Sequence, residues 1–342
     1  MKRHLLIGLG LAAALLVQAA LPAVPDLGNP RIIVLANNLQ NYYIHPNTGR
    51  GDYTESEINT KTNRIAEAMV KSNADVFAFC EVEAQPDVLE FLAAAMNTQA
   101  GQENRYVALD DGIEVEWDEY YDNNIKAGFI YRSDKVQPYL GNYYAKGVTY
   151  YRNVMRIQAW EELATGERFT LSMNHFKAKM DASSVAKRVD NANWLVAALD
   201  NTKYVKDPDI LVMGDFNAQM DEECISIILE AGFAEQLLRF DEDAYSYKYQ
   251  GSPELIDHAF ANSSMSEQIT GAAVWHTNTS QSYSKRYSDH DAVMVGLRLG
   301  DEQGFETITI SEPKAQKIFR DGQIIIIRSG IEYTITGQRI EK

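Results

Sequence analysis

Six short apolar runs decide most of what this chain can fold into: Arg31–Ala36, Asp75–Cys80, Ala127–Tyr131, Phe169–Met173, Ile210–Met213 and Ala292–Leu297. Each is too short for a helix that buries one face, which needs about ten residues or more, and each has the length of a buried strand. Between them lie stretches with helical spacing. Glu55–Lys71 sets Ile58, Ile65, Met69 and Val70 on one face, and Asp87–Met96, Ser184–Leu199 and Cys224–Ala231 carry the same periodicity. Tyr-rich polar stretches at 117–123, 139–152 and 243–251 read as loops or hairpins. Buried strands alternating with amphipathic helices over 27–300 predict an α/β domain. Hydrophobic residues make up 45% of the chain, enough to bury a large core.

Both ends have a different character. Lys2, Arg3 and His4 precede an apolar run from Leu5 to Val17, and small residues follow at Ala19 and Ala20. This three-part layout predicts a secretory signal peptide over residues 1–20, cleaved after Ala19 or Ala20. The apolar run falls short of the roughly 20 residues that a spanning helix needs. No later stretch is long and apolar enough to span a bilayer, so an exported, soluble monomer is expected. Residues 301–342 read as a polar linker and a β-rich tail, with short β-runs between Asp321-Gly322, Ser329-Gly330 and Gly337. Two cysteines make no disulfide framework; Cys80 reads as a buried small residue, and a Cys80–Cys224 bridge stays open.

Polar residues at the strand ends carry the chemistry. Arg31–Ala36 runs into Asn37-Asn38, Asp75–Cys80 into Glu81-Val82-Glu83, and Phe169–Met173 into Asn174-His175. Ile210–Met213 runs into Gly214-Asp215-Phe216-Asn217, and Ser288-Asp289-His290 precedes Ala292–Leu297. Any one of these alone is a turn or a solvated loop. Five together, with two histidines and four acids, point to one site at one sheet edge. A net charge of −16 excludes a protein that holds nucleic acid by a broad basic surface. It is compatible with an enzyme that reaches phosphate through a bound cation.

The order of these elements resembles the endonuclease/exonuclease/phosphatase superfamily, which has the deoxyribonuclease-I-like fold. The resemblance rests on Asn37-Asn38-Leu39-Gln40-Asn41-Tyr42, Phe79-Cys80-Glu81-Val82-Glu83, Ile130-Tyr131-Arg132-Ser133-Asp134-Lys135-Val136, Asn174-His175-Phe176-Lys177, Gly214-Asp215-Phe216-Asn217, Leu255-Ile256-Asp257-His258 and Ser288-Asp289-His290. The flanks Gly166-Glu167-Arg168-Phe169, Tyr245-Ser246-Tyr247 and Val274-Trp275-His276 are similar to those of secreted bacterial nucleases. The resemblance implies a four-layer α/β/β/α sandwich with a small C-terminal β extension. It also implies divalent-metal hydrolysis of phosphodiesters, with Mg²⁺ as the expected ion and Mn²⁺ or Ca²⁺ as alternatives.

Residue by residue, the resemblance implies Glu81 as a metal ligand, Asn38 beside that metal, and Asp289 as a further ligand. Asp215 and Asn217 match the pair that orients the nucleophile, and His290 matches the terminal histidine paired with Asp257. His175 matches the histidine that binds phosphate or protonates the leaving oxygen. The chemistry agrees with that set. A cation neutralises charge at phosphorus, and a carboxylate-oriented imidazole moves a proton near neutral pH. The chain departs from the pattern at Asn123-Asn124, where a Glu supporting the acid histidine is expected, so the partner of His175 is open. Arg152 and Arg156 are both candidates for the basic residue that clamps phosphate. The tail, through Lys317-Ile318, Asp321-Gly322-Gln323-Ile324, Ile326-Ile327-Arg328, Tyr333 and Gly337-Gln338, resembles the sorting segment of type IX secretion cargo, which implies a secretion-machinery partner.

Two activities and one non-catalytic alternative follow. The first is a secreted nuclease cleaving DNA, and RNA as a further substrate. Tyr42, Tyr43, Tyr120, Tyr121, Tyr143, Tyr144, Tyr150 and Tyr151 would then be available to stack bases. The second is a phosphoesterase for a lipid or sugar phosphate. The non-catalytic alternative is a surface-binding protein that kept the fold without the chemistry.

Overall fold

The computed structural model describes residues 21–45, 53–109, 125–145, 155–300, 316–320, 323–328, 331–334 and 340. The expected leader, Asn123-Asn124 and Arg152 lie outside the described residues, as do Tyr120, Tyr121, Tyr150 and Tyr151.

The first compact unit ends at Leu299. In chain order its elements are β1 (Ile32–Tyr42), α1 (Glu55–Ser72), β2 (Val76–Glu83), α2 (Asp87–Ala100), β3 (Tyr106–Ala108), β4 (Ile125–Arg132), β5 (Val136–Ala145), β6 (Met155–Glu162), β7 (Arg168–His175) and α3 (Ala182–Leu199). There follow β8 (Ile210–Asp215), α4 (Glu223–Glu230), β9 (Ala234–Glu235), α5 (Leu237–Phe240), β10 (Tyr247–Tyr249), β11 (Ser252–Glu254), β12 (Asp257–Ala261), α6 (Ser263–Glu267), β13 (Ile269–Trp275) and β14 (Ala292–Leu297). One six-stranded sheet runs β13-β14-β1-β2-β4-β3 and the other β5-β6-β7-β8-β12-β9. Within them β1 is parallel to β2 and β7 to β8, while β14 and β12 are antiparallel to their neighbours β1 and β8.

The side-chain alternation of each strand explains the layers. Ile32, Val34 and Ala36 of β1, Val76 and Ala78 of β2, Leu171 and Met173 of β7, and Val293 and Val295 of β14 meet between the two sheets. The intervening residues face outwards. Leu35, Phe77 and Phe79 pack beneath Ile65 and Met69 of α1 and Leu89 and Leu92 of α2. Ile157 and Val212 pack with Leu195 of α3 and Ile225 of α4. Both faces of the central strands are therefore covered, which is why their sequences are nearly continuous apolar runs. The result is the expected mixed α/β architecture of two sheets flanked by helices.

Helix α1 begins at a capping box: Thr54 Oγ1 accepts from the Glu57 N–H at 3.3 Å, and Glu57 Oε2 accepts from the Thr54 N–H at 2.9 Å. Four strands, β5, β6, β12 and β13, were not visible as apolar runs, and β5 takes in the start of the 139–152 stretch read as a loop or hairpin. Inner positions of β6 carry the fully buried Arg156 and Gln158, β12 has only five residues, and β13 contains Gly271, where a Cβ would lie 2.8 Å from the Leu27 backbone. Cys80 sits between the sheets and Cys224 in the outer layer on α4; both are buried free thiols, so the bridge left open by the sequence is not formed. No helix among the described residues is long and apolar enough to cross a membrane.

A second compact unit covers Gly300–Lys342. It holds a three-stranded antiparallel sheet of β15 (Gln316–Arg320), β16 (Gln323–Arg328) and β17 (Ile331–Thr334), in that order.

Candidate active site

The inward rows of the two sheets lead directly into the polar cluster. On β1 the row Ile32, Val34, Ala36 continues to Asn38, and on β7 the row Phe169, Leu171, Met173 continues to His175. On β8 Leu211 and Met213 lead to Asp215, and on the antiparallel β12 Ala261 and Ala259 lead to Asp257. Register places Asp215 opposite His175 on one side and opposite Asp257 on the other. Three functional side chains thus stand abreast at one end of the sheet.

Glu81 arrives differently. The next inward position after Cys80 is not Glu81, but the β2 ladder slips between Phe79 and Val82, and Glu81 takes φ 54°. The paired strand β1 slips over the same stretch, with Gln40 and Asn41 at φ 49° and 53°. A bulge re-aims a side chain. Here it brings the Glu81 carboxylate to the cluster, where Oε1 accepts from Asn38 Nδ2 at 3.0 Å and Oε2 from the Asn41 N–H at 2.8 Å. Gly214 is needed for a related reason. Its φ is 134°, and a Cβ there would lie 2.1 Å from the Asn174 carbonyl oxygen of the neighbouring strand.

Asp215 Oδ2 is the hub. It accepts from Asn38 Nδ2 at 2.9 Å, and the Nε2 atoms of His175 and His290 each lie 3.8 Å from it. Its other oxygen accepts from the Asn217 N–H at 2.8 Å. Asn217, itself left-handed at φ 49°, donates from Nδ2 to the Phe176 carbonyl at 3.2 Å, tying the β8 turn to the residue after His175. His175 Nε2 is 3.6 Å from Glu81 Oε1.

The His290–Asp257 pair is the tightest feature. His290 Nδ1 and Asp257 Oδ2 are 2.7 Å apart and both residues are buried. The same carboxylate oxygen accepts from Ser246 Oγ at 2.7 Å, and Ser246 Oγ accepts the Asp257 N–H at 3.0 Å. The Tyr247 ring lies 4.8 Å from the imidazole. The next residue, Asp291, is wholly buried; it accepts from the N–H groups of Asn278 and Thr279 and pairs with His276 Nδ1 at 2.7 Å, which fixes the His290 loop. Burial alone would push the His290 imidazole down, but the facing charges of Asp257, Asp215 and Asp289 outweigh it and hold the group well above the ordinary histidine value. Burial also raises Asp257, against the pull of His290. The pair therefore holds its shared proton tightly.

The structure gathers Asn38, Glu81, His175, Asp215, Asn217, Asp257, Asp289 and His290 at one place. Asn38 comes to the cluster with Nδ2 donating to both Glu81 and Asp215 while its Oδ1 accepts the Gln40 N–H at 2.8 Å, so it stands beside the candidate cation site, as expected, and orients its carboxylates. One expectation needs correcting. Tyr42 and Tyr43 are buried, and Tyr42 OH meets Thr62 Oγ1 at 2.9 Å, so neither offers a face to a base. Arg156 is wholly buried between the sheets, with its guanidinium 5.4 Å from the Phe129 ring centroid and Nη1 3.4 Å from the Ala127 carbonyl. Asp289 stands at the rim, Oδ1 3.9 Å from His290 Nε2. His45 is taken up by Glu83 and Asp87, and His258 by the Ala218 carbonyl. Ser246 and Lys61 were missed, because a lone serine or a lysine inside a helical repeat has no signature in sequence.

The donor set suits a divalent cation. One oxygen each of Glu81 and Asp215 and a nitrogen of His175 lie within 4.8 Å of one another, as do ligand atoms of Asp215, Asp257 and His290. Carboxylate oxygens suit Mg²⁺, and an imidazole among them also suits Mn²⁺. Because Asp257 and His290 already satisfy each other, the first group is the better candidate.

A two-sheet sandwich with paired carboxylates and histidines at one sheet end defines the class of phosphoester-hydrolysing enzymes. The chain matches the Endonuclease/Exonuclease/phosphatase family over residues 47–290, and it belongs to that family. No curated protein sequence matches it. Similar solved structures include an endonuclease/exonuclease/phosphatase from Bacteroides vulgatus, 13% identical with a TM-score of 0.56, covering 78% of this chain and 98% of that one. A mannosyl-6-phosphatase from Bacteroides thetaiotaomicron is 18% identical with a TM-score of 0.56, at 78% and 100% coverage. TDP2 of D. rerio, complexed with a single-strand DNA product, is 13% identical with a TM-score of 0.53, at 78% and 98% coverage.

Proposed function

We propose that this enzyme is an exported, divalent-metal-dependent phosphodiester hydrolase acting on nucleic acid. The observation that carries the reading is the placement of Asp215 between two imidazoles, each with Nε2 at 3.8 Å from Oδ2 and each approaching from a different side of the hub. The cation, held by Glu81 and Asp215 with His175 adjacent, would supply charge neutralisation at the phosphate. Asp257 accepts the hydrogen bond of His290 Nδ1–H and leaves Nε2 directed at Asp215. An oxygen about 2.8 Å from both Nε2 and Oδ2 fits that geometry; with a bound cation offsetting the facing carboxylates that hold the imidazole protonated, Nε2 would be free to take a proton from an attacking water that Asp215 orients. Asn217 holds Asp215, and His175 is the group placed to meet the leaving oxygen.

The nuclease reading draws on the nuclease-like flanks around His175, Tyr247 and Trp275. A lipid or sugar phosphate is the second reading; the net charge of −16 favours neither, since a bound cation would supply the positive charge at the phosphate in both. A metal-supplemented screen of DNA, RNA, sphingomyelin and sugar or inositol phosphates separates the two. Cleavage of DNA or RNA that stops on chelation supports the proposal; activity indifferent to chelator, or confined to phosphomonoesters, refutes it. Export is proposed from residues 1–20 and the β-rich tail. It predicts a mature N-terminus after Ala19 or Ala20, and recovery of protein with Met1 intact only from the cytoplasm would refute it.

A further inference from the structure

Helix α1 sends one charged group to the edge of the site. Lys61 Nζ donates to the Gln40 carbonyl oxygen at 2.6 Å. Burial pushes its ammonium down to about 8, against the pull of the Glu81 and Asp289 charges. This is a costly place for a cation, and the helix does not need it for docking. Ile65, Ala66 and Met69 already pack in the outer core, and Thr62 meets Tyr42 OH. What Lys61 grips is the Gln40-Asn41 turn, whose two left-handed residues are a conformation that L-residues seldom adopt without support. That turn directs the Gln40 N–H to Asn38 Oδ1 and the Asn41 N–H to Glu81 Oε2. Asn38 in turn donates to both Glu81 and Asp215.

We propose that Lys61 is a positioning residue: by anchoring the Gln40 carbonyl it holds the left-handed turn that aims Asn38 and Glu81, and so sets the affinity of the divalent-cation site. The inference rests on the reading of Glu81 and Asp215 as metal ligands. It makes a prediction of unusual sign. A lysine acting only as a nearby positive charge would repel a cation, so removing it would tighten metal binding. A lysine acting through the turn does the opposite.

The test is calorimetric titration of Mn²⁺ into the mature wild-type chain, Lys61→Met and Lys61→Arg, with metal-free melting curves alongside. Lys61→Met keeps the apolar stem and is expected to bind Mn²⁺ about tenfold or more weaker, the range typical of groups that orient metal ligands. Lys61→Arg keeps a donor for the carbonyl and is expected to lie closer to wild type. Unchanged or tighter binding by Lys61→Met, or weaker binding by Lys61→Arg than by Lys61→Met, overturns the proposal. Should Lys61→Met not fold, Lys61→Gln carries the same comparison. Failure of the wild type itself to bind Mn²⁺ overturns the metal reading and this inference with it, whereas a normal wild type beside an unaffected variant overturns this inference alone.

Discussion

Replacing Asp257 by Asn isolates the charge of the His290 pair. Asp257 Oδ2 accepts from both His290 Nδ1 and Ser246 Oγ at 2.7 Å, so an amide oxygen placed there can keep both hydrogen bonds and the imidazole tautomer. What disappears is the negative charge. A hydrogen bond to a charged group contributes about 1.5–3 kcal/mol and a neutral one about 0.5–1.5. Two unit charges about 4 Å apart add up to about 4 kcal/mol at an effective dielectric constant of 20. The loss of imidazolium stabilisation should therefore be about 2–4 kcal/mol, a fall in kcat of roughly 30- to 1,000-fold. If the amide turns its NH2 towards Nδ1 the wrong tautomer is enforced, and the fall approaches about 10⁴-fold. Removing one partner of a buried pair is destabilising unless the other gives up its charge; with two hydrogen bonds kept and an imidazole able to release its proton, the variant should still fold, with a lower melting temperature than the wild type. The pH profile gives an independent sign. The facing carboxylates raise His290, so removing one lowers it, and the acid limb of kcat should move to lower pH. The assay is steady-state hydrolysis of an activated phosphodiester with Mn²⁺ across pH, with melting curves in parallel. A kcat within about threefold of wild type, or an acid limb that stays put or moves up, would refute the assignment of His290 and Asp257.

Three further outcomes follow from the same geometry. Gly214→Ala should cost more than about 3 kcal/mol, since its Cβ would meet the Asn174 carbonyl at 2.1 Å with φ at 134°; a melting temperature equal to wild type would show that β7 and β8 can separate. Saturation with Mn²⁺ at about a hundred times its dissociation constant should stabilise the fold by about 2.7 kcal/mol. Asp215→Asn should remove that gain, and a variant that keeps it would locate the ion elsewhere. Asp75, whose carboxylate pairs with Arg132 Nη1 at 3.2 Å, is raised by burial to about 6. Between about pH 4 and 6 the folded state then keeps a proton that the unfolded state has released, so this residue's contribution to stability falls as pH rises, by about 3 kcal/mol over the window. Subtracting the pH–stability curve of Asp75→Asn from the wild-type curve should leave that downward slope, and a difference that rises with pH would reverse the argument.

The parts of the fold that were legible in sequence are those where burial on both faces leaves an uninterrupted apolar run. β1, β2, β7, β8 and β14 are such strands, and their polar ends mark the cluster because the inward row simply continues from Ala36 to Asn38 or from Met213 to Asp215. β6 was illegible because the fully buried Arg156 and Gln158 interrupt its inner row, and β13 because Gly271 packs without a side chain on the Leu27 backbone. The pairing of His290 with Asp257, implied by the family resemblance, is met in the structure at 2.7 Å. The partners of His175 were not legible, since Glu81 reaches it only through two coincident irregularities in β1 and β2. A bulge depends on which strands pair, and pairing is not a local property. Asn38 shows the same limit, because sequence order places it beside the carboxylates without saying which end of its amide faces them.

Charge balance separates this cluster from the other ion pairs in the fold. Several pairs elsewhere match a carboxylate to a guanidinium: Arg188 with Glu222, Arg168 with Glu161, and Arg132 with Asp134 and Asp75; His276 with Asp291 and His45 with Glu83 match one to an imidazole. At the strand ends Glu81, Asp215, Asp257 and Asp289 face two imidazoles. Among the described residues their close partners are an amide, a serine, backbone N–H groups and those rings, with no arginine ion pair. His290 answers Asp257, which leaves Glu81 and Asp215 sharing one neutral Asn38 at the mouth of the inter-sheet core. A protein built only for stability would pair these acids with basic residues or replace them with apolar ones. Keeping two such carboxylates side by side, with Gly214, Asn217 and a left-handed turn holding them there, makes sense when a cation completes the charge during work. Lys61, donating to the Gln40 carbonyl, stands beside the same surplus of negative charge.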